Sequence, residues 1–362
     1  MNHADLPYTL WQSLIFTWTF WMSVTLGCYG LVLLHHTVRG SWGYPVLRIA
    51  EAGSKLIFPM GLVYLAIFFL GKEAIYPWSH PGSDPVLVRK ASYMNWAWIR
   101  TLIYCGIWAL TAWVVNSSSK RQDQTGDVRE TQKRTNLSAP SLVFFVILLT
   151  FAFTDWVMSL EAHWYSTIYG FLFMADSGLA ALAFVTMVAL RHADREPYKS
   201  AINRSVVRDL GNLLLTFTMV WAYFNLSQFL IQWSGNLPEE ASYYVNRNSD
   251  VWRWLGAFLI CGQFFLPFLL LLSNRTKRTP GILLNVARWI FFVRILDIFW
   301  MTVPTFRPSG PSIEMLYDLG VFVVFGAIWL GAFSLLLKQN ALFPKHAPYV
   351  PPQAGEVLEH AS

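Results

Sequence analysis

Charge is what this chain has least of. Only 13% of its 362 residues are Asp, Glu, Lys or Arg, about half the roughly 25% of a soluble domain. With 55% hydrophobic residues, the polar surface is too small to cover a water-soluble body. Cysteine is also rare. Cys28, Cys105 and Cys261 stand far apart, with no CxxC or CxxCH, which excludes cysteine-held iron–sulfur clusters and c-type haem on this chain. Each thiol reads as a small buried hydrophobe. None of the eight histidines sits in the middle of an apolar run, where a b-type haem would need its axial ligands. His35 and His36 have no carboxylates beside them in sequence, so no metal site is expected. Period-two alternation is rare, which argues against a β-barrel. Residues 1–7 carry no basic stretch and the first apolar run is too long for a signal peptide, so none is expected.

What is present is a series of apolar runs of about 20 residues, the length that crosses a bilayer as a helix. Nine are read: 10–34, 48–70, 99–115, 141–160, 165–190, 211–233, 251–272, 282–303 and 315–337. The expected fold is an all-α polytopic bundle, one membrane domain over 1–343 and an extended Pro-rich tail over 344–362. The +6 net charge does not point to nucleic acid, but its placement is informative. Loops after odd-numbered spans and the tail, together with Arg48 and Lys55 at the start of the second span, hold 18 of the 27 Lys and Arg. By the positive-inside bias the N-terminus lies outside and the C-terminus in the cytoplasm. The polar stretch 116–139 is expected to be a solvated inner loop, 77–85 a turn-rich outer loop, and Pro238-Glu239-Glu240 the start of a short interfacial helix.

Charges at membrane depth are costly and mark partners or function. Asp155 lies inside the outer end of the fourth span, with Ser159 one turn on, and Glu161 and His163 follow at its mouth. Carboxylate and imidazole beside an apolar slot suit the proton release of quinol oxidation. The alternative for Asp155 is a pair with a neighbouring helix, and for Glu161 and His163 an ordinary loop role. Asp176 sits mid-span and reads as an interhelix bond or a proton step. Thr218, Trp221, Asn225, Gln228 and Gln232, spaced 3 and 4 apart, share one helix face. They read as interhelical glue or as the wall of a quinone slot, with Trp156 a further slot candidate. Arg294 and Asp297 are three apart on one face, an internal ion pair or a proton gate, and Arg288 lies on another face.

The segments DWVMSLEAHWYSTIYG (155–170), DLGNLLL (209–215), SQFLIQWSGNLPEE (227–240), FLPFLLLLS (265–273), LGCYGLVLLHH (26–36) and RILDIFWMTVP (294–304) resemble the second NrfD-like integral membrane subunit of bacterial alternative complex III. That family belongs to the polysulfide reductase NrfD superfamily, and the likeness runs from about Trp11 to Pro304. It implies a subunit of a bacterial inner-membrane quinol:cytochrome c oxidoreductase. It also implies a sister NrfD-like subunit, an iron–sulfur protein and a multihaem cytochrome c as partners. Menaquinone or ubiquinone is then the only cofactor in question, with haem and iron–sulfur clusters on other chains. The family has ten spans where this chain reads as nine, and an absent first helix accounts for the difference. It has Pro where Ala162 stands and tends to lack the acid at Asp176. Asp155, Glu161, His163, Arg294 and Asp297 are expected along a proton path, and Trp221, Asn225, Gln228 and Trp156 around a quinone. Other readings of the residues are an NrfD-type anchor for a different redox partner, a structural scaffold, and a secondary transporter. The last is disfavoured because Pro267 and Pro304 lack counterparts in a second half.

The topology is checked by cysteine labelling in a Cys261→Ser background. Asn236→Cys should react with an impermeant maleimide from outside the cell, and Gly126→Cys only after the membrane is opened.

Overall fold

The computed structural model describes residues 6–339, apart from 197, 311 and 312, together with 341–344 and 346. Among them are helices and turns and no strand. In chain order the helices are α1 (Leu6–Val38), α2 (Leu47–Ser54), α3 (Ile57–Ile75), α4 (Pro85–Met94), α5 (Ala97–Thr125), α6 (Arg129–Trp156), α7 (Tyr169–Leu190) and α8 (Tyr198–Ala201). They continue as α9 (Arg204–Gly235), α10 (Pro238–Val245), α11 (Asp250–Leu259), α12 (Leu266–Leu272), α13 (Asn274–Arg278), α14 (Pro280–Thr302) and α15 (Met315–Lys338). Eight stretches are long and apolar enough to cross a membrane. The ninth expected span, α14, carries Arg288, Arg294 and Asp297 but runs the same course. Beside its start, Lys277 Nζ donates to Asn212 Oδ1 near the beginning of α9. Just past its end, Thr305 Oγ1 donates to Glu161 after α6. The chain is an all-α, multi-pass membrane bundle.

Burial sorts the helices into axis and rim. In α1 and α7, 89% and 72% of the apolar window is buried, against 17% in α15 and 22% in α9. A helix that is apolar on every side belongs in a core, and α1 adds small and hydroxyl residues that let neighbours approach. Gly27 shows how closely: a Cβ there would stand 1.9 Å from the Ser177 carbonyl oxygen of α7. The outer helices turn residues such as Leu70, Leu110, Trp113, Phe144, Trp254 and Ile328 outward, a coat that only lipid solvates well.

Proline explains the irregularities. Its ring collides with the carbonyl four residues earlier and supplies no donor to it. Pro59 acts on Lys55, and there the second span breaks into α2 and α3. Pro267 acts on Gln263, and the seventh span opens into a π-helix over Ile260–Phe265.

The structure corrects several sequence expectations. The stretch 116–139 is no solvated loop. α5 continues to Thr125, Gly126 turns the chain at φ +69°, and α6 begins at Arg129. The two polar extensions pair with each other: Ser118 Oγ donates to Glu130 Oε2 at 2.7 Å, Gln122 Nε2 to Thr131 Oγ1 at 2.8 Å, and Arg134 to Gln122. A hydrophilic stretch reads as loop when its polar groups are assumed to face water, and these face each other. Cys261 is exposed on the π-helix, while Cys28 and Cys105 are buried. The fifth span starts as helix at Tyr169, not 165. The tail 344–362 lies outside the described residues, apart from Pro344 and His346. The interfacial helix expected at Pro238 is present as α10, with Glu239 and Glu240 in its first turn.

Adding one methyl group at Gly27 must force α1 from α7, and overpacking of this kind costs about 1–3 kcal/mol. Gly27→Ala should lower the melting temperature in detergent by several degrees. Gly106→Ala, with nothing within 4 Å of the new Cβ, should leave it unchanged.

Candidate functional site

The polar stripe of α9 converges on one cavity. Trp221, Asn225 and Gln228 line a space of about 600 Å³ bounded by α9, α10, α14, the start of α7 and the π-helix. That volume suits a drug-sized molecule. Tyr223, Leu226, Ile260 and Phe265 line it too and are 51–66% exposed on the flank of the bundle, so the cavity opens sideways into the apolar surroundings. Asn225 Nδ2 donates to the Trp221 carbonyl, and Gln228 Oε1 accepts from Ser166 Oγ at 2.6 Å.

Asp297 is the acid of this cavity. Its Oδ2 accepts the Trp221 indole N–H at 2.9 Å and is bonded by Arg294 from one turn earlier. Arg294 Nη2 also lies 3.0 Å from Asp176 Oδ1 of α7. All three charged side chains are buried, with 0–3% of each exposed. Two carboxylates therefore share one guanidinium, and full ionisation would leave a negative charge uncompensated in a low-dielectric core. Close by in sequence or space are further unsatisfied groups. Thr218 Oγ1 and both amide atoms of Gln232 and of Gln263 are buried with no hydrogen-bond partner among the described residues. Buried polar atoms of that kind are ordinarily satisfied by water or ligand.

Arg247 holds the wall that α10 and the end of α14 form. It donates to Glu161 Oε1 at 3.0 Å, and to the carbonyl oxygens of Tyr243 at 2.6 Å, Trp300 at 3.1 Å and Met301 at 2.7 Å. Its guanidinium stacks on the Tyr243 ring at 3.5 Å. Tyr243, Trp300 and Met301 all line the cavity. Glu161 completes the clasp by accepting from Asn246 Nδ2 at 3.2 Å and Thr305 Oγ1 at 2.8 Å. Lys90 of α4 caps the same turn from outside, donating to the Glu161 and Ala162 carbonyls.

The expected site residues fall into separate clusters. Asp155, in the last turn of α6, accepts from Arg100 Nε at 2.7 Å, Arg100 Nη2 at 2.9 Å and Tyr104 Oη at 3.2 Å, all from α5. This is the pairing with a neighbouring helix. Ser159 Oγ donates to the Asp155 carbonyl. His163 is half exposed, 3.3 Å from Asp84 Oδ2. Trp156 packs in the core with its indole on Thr101 Oγ1 at 2.9 Å, and it is not among the cavity's lining residues. Arg288 is exposed and bonds Asn285. His35 and His36 end α1, buried, with the His35 ring against Trp42. Sequence reasoning overlooked Arg247, Tyr243 and the π-helix. An arginine in an acid-rich loop that the charge bias expects outside runs against that bias, and that was its signal.

The fold and this cavity define a multi-pass helical membrane protein with a lateral pocket beside a buried charge cluster. No protein-family model matches the chain, and no curated protein matches it.

Burial holds the Lys90 ammonium down at about 8, with the Glu161 charge opposing that shift. Its unfolded value is the ordinary 10.5, so between pH 8 and 10.5 the unfolded chain binds the extra proton and stability rises with pH. Below pH 8 this contribution is absent. The melting temperature of the wild type should therefore climb relative to Lys90→Met across pH 8–10.5, and the two should run parallel below pH 7.

Proposed function

We propose that this chain is a membrane subunit of a bacterial respiratory quinol-oxidising complex, that its lateral cavity takes a quinone headgroup, and that the Asp176–Arg294–Asp297 cluster handles protons there. The observation that carries the reading is Asp297. It lines the cavity and belongs to a buried group of two acids and one base. A lipid-soluble ring can enter from the flank between Tyr223 and Phe265 without crossing water. Trp221, Tyr243 and Trp300 supply flat apolar walls, while Asn225 and Gln228 supply hydrogen-bonding groups. Oxidation of a quinol to a quinone releases two protons and two electrons. The cluster, with one carboxylate in excess of its guanidinium, has the capacity for a proton at the cavity wall. The electrons pass to partners, for which the resemblance of segments 155–170, 227–240 and 294–304 points to an iron–sulfur protein, a multihaem cytochrome c and a sister membrane subunit. In this reading the protein lies in the bacterial cytoplasmic membrane, N-terminus outside. Glu161 acts at one remove, by fixing Arg247 and through it the cavity wall, and Asp155 ties α6 to α5.

The test is quinol-dependent cytochrome c reduction by the protein purified with its partner subunits. Asp297→Asn should lower the rate at least tenfold with every subunit retained on a gel. A photoreactive quinone should label segments 221–229 and 256–265, and Phe265→Trp should suppress the labelling. Full activity in assembled Asp297→Asn, together with labelling elsewhere, would overturn the reading.

A further inference from the structure

A second pocket lies at the opposite end of the bundle, the end with the basic loops. It encloses about 340 Å³ and is lined by Ser54, Lys55, Trp113, Asn116, Lys120 and Gln339, with the small Ala109 and Ala112 at its base. Three elements meet there: the α2–α3 break, α5 and the end of α15. The break forced by Pro59 is what places Lys55 at a helix end. On α5, Ala109, Trp113, Asn116 and Lys120 follow at spacings of 4, 3 and 4, with Ala112 beside Trp113, and so share one face. Along that face small residues give way to an amide and then a cation.

The charge is not neutralised locally. Arg48 takes both nearby acids, bonding Glu51 and Asp123. Among the described residues neither Lys55 nor Lys120 has an ion-pair partner. Arg48, Lys55 and Lys120 against Glu51 and Asp123 leave one positive charge, the complement of one phosphodiester. The pocket also offers an acceptor. Asn116 is buried with its amide nitrogen on Ser54 Oγ at 3.2 Å, and its Oδ1 has no partner among the described residues. A ligand that satisfies both features carries an anion for the lysines and a hydroxyl donor for the amide oxygen.

The surroundings say how that ligand arrives. Trp113 is 66% exposed and Leu110 62%, and across the gap Phe58 of α3 is 49% exposed. These side chains face the apolar coat of the bundle, so the polar pocket sits at the head of a lipid-facing groove. Tryptophan at such a boundary marks headgroup level, and basic pockets between spanning helices at the basic-loop face are sites for anionic headgroups.

We propose that this pocket is a specific site for an anionic glycerophospholipid. Its phosphodiester lies between Lys55 and Lys120, its headgroup hydroxyl donates to Asn116, and an acyl chain runs down α5 past Ala109. The inference requires only the membrane placement of the bundle and is independent of the quinone reading.

The test uses the protein purified in neutral detergent and stripped of lipid. Added phosphatidylglycerol should raise the melting temperature by several degrees, and native mass spectrometry should retain one lipid per chain. Phosphatidylcholine, and glycerophosphoglycerol without acyl chains, should do neither. Lys120→Gln, an exposed position that folding does not need, should weaken phosphatidylglycerol binding at least tenfold, and adding Lys55→Gln should abolish it. Arg288→Gln, exposed elsewhere, should have no effect. An equal shift from phosphatidylcholine would reduce the site to general lipid solvation and overturn the proposal. So would an equal shift from the headgroup alone, or unchanged binding by Lys120→Gln.

Discussion

Ion pairs between helices decide how this bundle is put together. An isolated charge cannot stay ionised in an apolar interior, so each buried base brings a second segment to it. Arg100 ties α5 to α6 through Asp155. Arg48 ties α2 to α5 through Asp123. Arg294 ties α14 to α7 through Asp176. Arg307 bonds Asp318 of α15, which also accepts from Ser13 of α1 at 2.6 Å. Apolar contact alone gives little register between helices in lipid, because side chains and acyl tails are equally apolar. The charged pairs fix which helices adjoin and at what height.

The same device builds the cavity. Arg247 spreads one guanidinium over Glu161, three carbonyl oxygens and a tyrosine ring, so that loops far apart in sequence become one wall. On the opposite wall the Pro267-driven π-helix sets Phe264 and Phe265 against the space. One wall is thus rigid through hydrogen bonding and the other is shaped by a backbone irregularity, a combination often found at functional sites. Asp297 joins the cavity to the charge cluster behind it.

Fold class was plain in the sequence because length and hydropathy are sufficient to identify spanning helices. The stripe on α9 was also plain, since helical spacing alone placed Thr218, Trp221, Gln228 and Gln232 on one buried face. Partners were not, because a pair such as Asp155 with Arg100 or Glu161 with Arg247 is a tertiary fact that no local spacing encodes. Asp176 joined the Arg294–Asp297 pair for the same reason. The polar hairpin 116–139 was misread because composition records hydrophilicity and not what the hydrophilic groups bind. Trp156, expected as a slot residue, follows Asp155 in the last turn of α6. Adjacent residues on a helix point about 100° apart, and its indole turns into the core.

The burial of α1 has a consequence for biosynthesis. The most enclosed of the described helices leaves the ribosome before the helices that enclose it, and its principal neighbour α7 is completed about 150 residues later. At ordinary elongation rates that interval is roughly 8–30 s. Over that interval the side of α1 that packs on α7 lacks its partner, although α2, α3 and α6 arrive earlier. Ser13 and Thr25 endure this by donating to their own helix, at the Thr9 and Trp21 carbonyls. Thr17, Thr19 and Ser23 have no hydrogen-bond partner for their hydroxyl oxygens among the described residues. A helix with that history depends on whatever shelters nascent spans at the translocation machinery until its neighbours arrive.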